Sequence, residues 1–315
     1  MKEYIITKKE EGLTVYKFSL KVLSKAPSGM IRKFLRNKNI ELNRKRTDGS
    51  DRLKAGDSVC FFLSDETYDK FSGSSGSEEP AGKKTVLPLD KKRIIYEDGD
   101  FLFYDKPAGI LSQSDSSNEP SINDSLLKYI SDGGPVKPSI CNRLDRNTSG
   151  LIMCGKTYEG LKTLDSAIKD RQIKKYYLCI LEGRLSQSGR ICAYLRKDPA
   201  KNKVDVKWEK EPGYDEIINE YRLIKTFSEF TFAEVLLVTG KPHQIRAMSA
   251  LLNAPLVGDI KYGNKKALAK RPLLHSYRVE FPDTILEGGS FTAPVPEDMK
   301  IFLDDKSWLH GIPED

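Results

Sequence analysis

Residues 72–84 open on Ser72-Gly73-Ser74-Ser75-Gly76-Ser77 and close on Gly82-Lys83-Lys84. The run has no hydrophobic periodicity and too little apolar content to enter a core, so it reads as a flexible linker. A break there divides the 315 residues into two unequal folded units, as expected for a chain longer than one typical domain. The boundaries drawn from the pattern are a small N-terminal domain over 1–66, a linker over 67–92 and a larger domain over 93–315.

Charge separates the two units further. Between Lys21 and Gly56 there are 11 Lys or Arg against 3 acidic residues, a local excess larger than the whole chain's +7. The basic footprint therefore belongs to the N-terminal unit. Thr14 is placed to cap a helix with Val15, Phe18 and Val22 on one face. Ser28 is placed to cap a second, with Met30, Ile31, Phe34 and Leu35 apolar. Arg32, Lys33 and Arg36 fall between those apolar positions and project outward. A short strand over 40–43, the basic turn Arg44-Lys45-Arg46 and a return through Leu53-Lys54-Ala55-Gly56-Asp57 complete the unit. Cations on a rigid helix suit phosphate neutralisation, which gives salt-dependent affinity with little sequence information.

In the larger unit, Ile94-Ile95-Tyr96 and Phe101-Leu102-Phe103-Tyr104 flank a polar turn and read as a hairpin. Further strands are expected at 150–154, 176–181, 220–225, 231–239 and 277–281, and helices at 121–130, 158–169 and 243–252. Strands outnumber helices and several look hairpin-linked, which favours an α+β fold with a mixed, mainly antiparallel sheet over a doubly wound one.

Composition narrows the chemistry. A hydrophobic fraction of 38% and a charged fraction of 31% suit a globular chain, with no apolar run near the roughly 20 residues of a spanning helix. The first ten residues lack an export signal, so a cytoplasmic location is expected. The five cysteines form no Cys-x-x-Cys pair. There is no dinucleotide fingerprint, phosphate loop or metalloprotease pattern, and His243, His275 and His310 are the only histidines, so neither a metal nor a cofactor is expected. Carboxylate, Arg and Tyr chemistry remains.

Asp145 stands out within Asn142-Arg143-Leu144-Asp145-Arg146-Asn147-Thr148-Ser149-Gly150-Leu151. It sits at the lip of an apolar strand between two arginines, and cations favour the charged form of a nearby carboxylate. Taken bare, an Asp in a polar turn is an ordinary cap or structural ion pair.

Arg143-Leu144-Asp145-x-x-Thr148-Ser149-Gly150-Leu151 resembles the signature of the RluA family of RNA pseudouridine synthases, in which the Asp is the essential catalytic residue. Three more blocks follow the family's order: Asp105-Lys106-Pro107-Ala108-Gly109-Ile110, then Lys175-Tyr176-Tyr177, then Thr239-Gly240-Lys241-Pro242-His243-Gln244-Ile245-Arg246. Gly258-Asp259-x-x-Tyr262-Gly263 and Leu274-His275 lie downstream. The N-terminal unit resembles an S4-type RNA-binding domain, as carried by large-subunit rRNA-modifying members. Two departures are Asn142, where the family usually has His, and Lys241-Pro242, where Arg-Thr or a similar pair is common.

The resemblance implies a pseudouridine synthase fold with a central cleft, and an isomerase needing no cofactor. Its RNA partner would be 23S ribosomal RNA before transfer RNA, and no protein partner is needed by a monomer. It makes Asp145, Tyr177 and Arg246 catalytic, with Arg246 pairing Asp145 and Tyr177 stacking on uracil ahead of any role as a base. Arg143, Arg146, Thr148 and Leu274 would contact the flipped nucleotide, and Arg32, Lys33, Arg36, Arg44, Lys45 and Arg46 the RNA backbone. His243 and His275 are read as structural hydrogen-bonding groups. Two other readings stay in view: an RNA-binding assembly factor with a passive fold, and a glycoside hydrolase. The intact Asp145, Tyr177 and Arg246 argue against the first, and the lack of a second partner carboxylate argues against the other.

Overall fold

The computed structural model describes residues 1–72, 86–115, 119–130, 136–185, 188–198, 203–227, 229–264 and 268–303. Residues 73–85, the centre of the expected linker, and His310 lie outside the described residues. Among the described residues no helix is long and apolar enough to cross a membrane.

The N-terminal unit comprises β1 (Lys2–Ile5), α1 (Val15–Val22), α2 (Ser28–Arg36), β2 (Ile40–Leu42), β3 (Lys45–Arg46), β4 (Ser58–Phe61) and α3 (Asp65–Ser72). Its strands form an antiparallel sheet in the order β1-β4-β2-β3. Thr14 caps α1 as expected, its hydroxyl accepting from Lys17 N–H at 3.2 Å. Ser28 does not cap α2. It is the first helical residue, and Pro27 stands at the cap with no side-chain bond to give. Between β2 and β3 the chain turns through Asn43 and Arg44 at φ 49° and 61°, the paired left-handed turn that matches strand twist. Residues 67–72, expected in the linker, belong to α3. Its buried Tyr68 packs edge-on to Phe61 and exchanges a hydrogen bond with Tyr4.

The larger unit carries β5 (Ile94–Glu97), β6 (Phe101–Lys106), α4 (Ile122–Ile130), β7 (Ser139–Ile140), β8 (Ser149–Gly155), α5 (Tyr158–Lys169), β9 (Lys174–Glu182), β10 (Gly189–Asp198), β11 (Lys203–Lys207), β12 (Asp215–Thr226), β13 (Phe230–Leu237), α6 (Gln244–Leu251), β14 (Leu274–Glu280), β15 (Ser290–Thr292) and α7 (Glu297–Leu303). They make one sheet in the order β11-β10-β12-β13-β9-β14-β8-β6-β5, with β15 on β14 and β7 on β8. Among the described residues every strand pairing of this sheet is antiparallel except β14 with β8. The α+β, mainly antiparallel expectation therefore holds. The central strands are covered on both sides, with Ile152, Cys154, Tyr177 and Cys179 in one apolar cluster. Leu151 and Met153 enter a second cluster, and Leu178 and Ile180 a third. Strands buried twice over read as continuous apolar runs, which is why β8 and β9 were visible in the sequence.

The two units touch. Tyr158 N–H donates to the Lys9 carbonyl at 3.0 Å, Lys8 Nζ pairs with Asp100 at 3.0 Å, and Val136 and Tyr158 join the apolar cluster of the N-terminal unit.

The parallel contact of β8 with β14 brings Gly150 against Ser276. Gly150 has φ +110°, and a Cβ there would meet the Ser276 carbonyl oxygen at 2.0 Å. Neither backbone can yield without breaking the sheet. Gly150→Ala is therefore expected to destabilise the chain by at least about 1–3 kcal/mol in denaturant unfolding, from overpacking plus the left-handed penalty. A midpoint equal to that of the parent chain would refute this.

Candidate active site

Residues 142–148 form the turn that feeds β8, and the carbonyls of Leu144, Asp145, Arg146 and Asn147 are each held. The Ser112 hydroxyl donates to Leu144 O at 2.7 Å and accepts Leu144 N–H at 3.0 Å. Thr148 N–H closes the turn on Asp145 O at 3.0 Å. Arg146 O accepts from Gly109 N–H at 2.9 Å and from Lys106 Nζ at 3.0 Å. Asn147 O accepts from Arg271 Nη1 at 3.2 Å. Four consecutive carbonyls are thus satisfied by groups from two separate segments, residues 106–112 and Arg271, and by the turn itself, which fixes the loop carrying Asp145 before any substrate arrives.

Two buried cations do much of this. Lys106 is fully buried, and its three donors meet three carbonyls, those of Pro107, Ile110 and Arg146, at 2.9, 2.9 and 3.0 Å. Burial, helped by the charge of Arg271, pushes its pKa down to about 7. Arg271 also donates to Pro272 O and Leu274 O and forms a two-pronged pair with Asp298 of α7 at 2.6 and 2.8 Å. Through Arg271, α7 is tied to the Asp145 loop.

Asp145 itself is half-buried. Its Oδ2 accepts from Arg246 Nη1 at 3.0 Å. Arg246, on α6, uses its other edge on Asp259, with Nε to Oδ2 at 2.7 Å and Nη2 to Oδ1 at 2.9 Å. Asp259 is fully buried and further held by the N–H groups of Lys261 and Tyr262. Burial alone would weaken the charge on Arg246, but hydrogen bonds to Asp259 and Asp145 outweigh it and raise the guanidinium further above its usual range. A planar fork clamped by one carboxylate presents its remaining N–H to the other in a single direction. α6 is itself anchored by Gln244, whose amide bridges Thr239, Lys241 N–H, Ile218 O and Asn219.

Tyr177, on β9, is buried on the face that contains Leu144, Ile245 and Leu274, while Tyr176 points the other way to Glu280. Burial pushes the Tyr177 phenol up to about 12, with the neighbouring Ser276 opposing the rise and the charge of Asp145 adding to it. Its proton stays on at neutral pH, which leaves an aromatic face as its first asset. His275 is fully buried between β14 and β8, with Nδ1 2.9 Å from the Ser149 hydroxyl, and burial drops its pKa to about 3. It is a neutral structural group, as expected.

The geometry meets a consistent set of relatives. The family model for RNA pseudouridylate synthase matches residues 100–251, which include Asp145, Tyr177 and Arg246. The uncharacterized RNA pseudouridine synthase MG370 of Mycoplasma genitalium is 30% identical over 301 residues, spanning 89% of this chain and 89% of that one. The chain belongs to the RNA pseudouridine synthase family. Ribosomal large subunit pseudouridine synthase C of Rickettsia prowazekii is 31% identical over 82% of this chain and 85% of its own. Synthase D of Borreliella burgdorferi is 28% identical over 86% and 84%. Human RNA Pseudouridylate Synthase Domain Containing 4 shares the fold, with a TM-score of 0.55 and 19% identity over 70% of this chain and 93% of that one. The RluA-type resemblance and the isomerase class read from the four blocks agree with these relatives.

The remaining residues singled out in this pseudouridine synthase divide. Leu274 is buried in the same apolar cluster as Tyr177. Thr148 is buried at 3% exposure, inside the turn and not on its surface. Arg143 is exposed, whereas Arg146 is committed, its guanidinium forked on Glu119 at 3.0 and 2.6 Å and its Nε bonded to Gly109 O. Asn142 clips the edge of β8, donating to Leu151 O and accepting Met153 N–H, and Lys241 pairs with Asp215 at the surface. Arg32, Lys33, Arg36, Arg44, Lys45 and Arg46 are all exposed on the N-terminal unit. Arg32, Arg36 and Arg46 line a cavity of about 530 Å³ with Tyr16, and the Arg32 guanidinium lies 5.6 Å from that ring's centre. Asp259, Tyr262, Lys106 and Arg271 are the site-building residues to which the sequence pattern gave no role. The first three lay inside blocks already noted.

Proposed function

We propose that this synthase isomerises uridines of large-subunit ribosomal RNA through the Asp145 carboxylate without a cofactor. The observation that carries the reading is the Asp145–Arg246–Asp259 array, one half-buried carboxylate aimed by a guanidinium that a second, fully buried carboxylate holds in place. The reaction breaks N1–C1′, turns the base and joins C1′ to C5, so a proton leaves C5 and one is gained at N1. Atoms and electrons balance within the nucleotide, and no redox or group carrier is required. Asp145 opens the sequence by attacking C1′ or by taking the C2′ proton, and either role uses an ionised carboxylate next to a base stacked on Tyr177. The uridine leaves its helix to reach the site.

The names of the Rickettsia and Borreliella relatives support ribosomal RNA over transfer RNA as the substrate, and hence action in the cytoplasm. The exposed cations of residues 1–72 support an S4-like RNA-binding domain, and residues 93–303 a catalytic one. The whole array lies within one chain, which supports a monomer. Deleting the gene and mapping pseudouridines in ribosomal and transfer RNA by chemical labelling with primer extension tests the reading. At least one ribosomal site should vanish and return with the intact gene but not with Asp145→Asn. Full restoration by the Asn variant would sink it.

The binding domain makes a separate prediction. Reversing Arg32, Lys33 and Arg36 to Glu should weaken RNA binding and lower the slope of log affinity against log salt by roughly 0.7–0.9 for each phosphate no longer neutralised. Turnover of a saturating small stem-loop should be unchanged. An equal fall in that turnover would contradict a separable binding role.

A further inference from the structure

His243 lies on the edge of Asp145 that Arg246 leaves open. Arg246 occupies Oδ2, and among the described residues no hydrogen bond reaches Oδ1, from which His243 Nε2 stands 3.8 Å away. His243 holds this place in a left-handed backbone conformation, φ 54°, immediately before α6. Its other ring nitrogen is tied down. Tyr262 Oη accepts Val204 N–H from β11 at 2.9 Å and lies 2.7 Å from His243 Nδ1. With no other acceptor for the phenol proton among the described residues, Tyr262 donates to Nδ1, and the ring proton must sit on Nε2. Burial, with the nearby charges of Arg246 and Lys261, lowers the His243 pKa against the opposing pull of Asp145 and Asp259, so the ring is neutral at neutral pH. The relay from Val204 through Tyr262 therefore locks one tautomer. It leaves a half-buried N–H donor without a hydrogen-bond partner among the described residues, directed at the reactive oxygen.

A separation of 3.8 Å is too long for a hydrogen bond and is spanned by a hydroxyl about 2.8 Å from each atom. Such a hydroxyl accepts from Nε2–H and donates to Oδ1. In the target nucleotide the ribose 2′-hydroxyl is bonded to C2′ and is two bonds from C1′, the two atoms at which a carboxylate can begin this isomerisation. Whichever it chooses, the 2′-oxygen lies beside Oδ1.

We propose that His243 binds the 2′-hydroxyl of the target uridine through Nε2–H, so that the site selects a ribonucleotide at the position it modifies. The inference rests on the reading of Asp145 as the reacting carboxylate and adds the group that seats the sugar against it. It also makes Tyr262 a positioning residue, acting on the substrate only through the tautomer it imposes. A hydroxyl with both donor and acceptor capacity is the feature by which a protein can tell RNA from DNA at one residue.

The test uses two RNA stem-loops already carrying pseudouridine at the target position, one with and one without its 2′-hydroxyl, as competitors against conversion of the uridine stem-loop by the full-length chain. The parent chain should favour the hydroxyl-bearing loop by about tenfold, the value of one hydrogen bond. His243→Ala should show no preference, and His243→Gln, which keeps an N–H, should retain part of it. Tyr262→Phe keeps the ring over Arg246 but frees the tautomer, and should give an intermediate preference, which also covers the case in which the His243 variants fail to fold. A parent chain indifferent to the hydroxyl, or an undiminished preference in His243→Ala or Tyr262→Phe, overturns the proposal. Failure of the Asp145 reading is seen separately, as a normal conversion rate in Asp145→Asn with the ribose preference intact.

Discussion

Asp145→Asn is expected to slow single-turnover conversion of a uridine stem-loop by at least about 10³-fold, within the range that positioned acid–base groups supply, while RNA affinity and melting temperature stay close to those of the parent chain. The substitution keeps shape and the oxygen that faces Arg246 Nη1, so the loop and its four bonded carbonyls are undisturbed. What is lost is the negative charge, and with it both the nucleophile and the base. Stability should be insensitive because Arg246 still has a counterion in Asp259, bound through two hydrogen bonds. Quench-flow conversion, salt-matched binding and a thermal melt measured on one preparation separate the three quantities. A residual rate within tenfold of the parent would mean that another group opens the reaction.

The same separation of roles explains what the sequence made legible. Asp145 was found because four ordered blocks carried it; its own surroundings, a polar turn between arginines, are those of many structural carboxylates. α5 spans the helix expected over 158–169, and the structure adds Thr157 as its cap. The β10–β11 hairpin was not seen. Its strands alternate apolar residues with Arg, Lys and Asp on a half-exposed edge, so their apolar signal is weak even though Asp198-Pro199 marks a turn between them. Yet β11 supplies the Val204 N–H that begins the relay to His243. Arg146 shows what a local pattern leaves out. Its charge suggested a hand for the substrate, but Glu119, 27 positions away, takes both prongs of its guanidinium. Local spacing predicts which face a side chain occupies and says nothing about which distant partner has already claimed it. Arg271 is the clearest instance, because its tie to Asn147 spans 124 positions and leaves no periodic trace.

Arg246→Met should carry the largest combined effect, and its logic turns on Asp259 more than on Asp145. The Asp259 side chain is fully buried, and removing its guanidinium leaves a charge held by only two backbone N–H groups among the described residues. Breaking a buried pair from one side costs about 3–5 kcal/mol, so a melting midpoint lower by roughly 10 °C is expected for a chain of this size. Conversion should fall as far as in Asp145→Asn, since the carboxylate loses the donor that aims it. Arg246→Lys should recover little of either, because one ammonium cannot reproduce the fork that grips both carboxylates. The informative variant is the double, Arg246→Met with Asp259→Leu, which removes the stranded charge and fills its volume. Most of the lost stability should return while conversion stays absent, as coupled residues in one network are not additive. A double variant as unstable as the single would show that Arg246 holds the fold by packing alone. Recovered conversion would show that Asp145 needs no aiming guanidinium, and the array would then be structural.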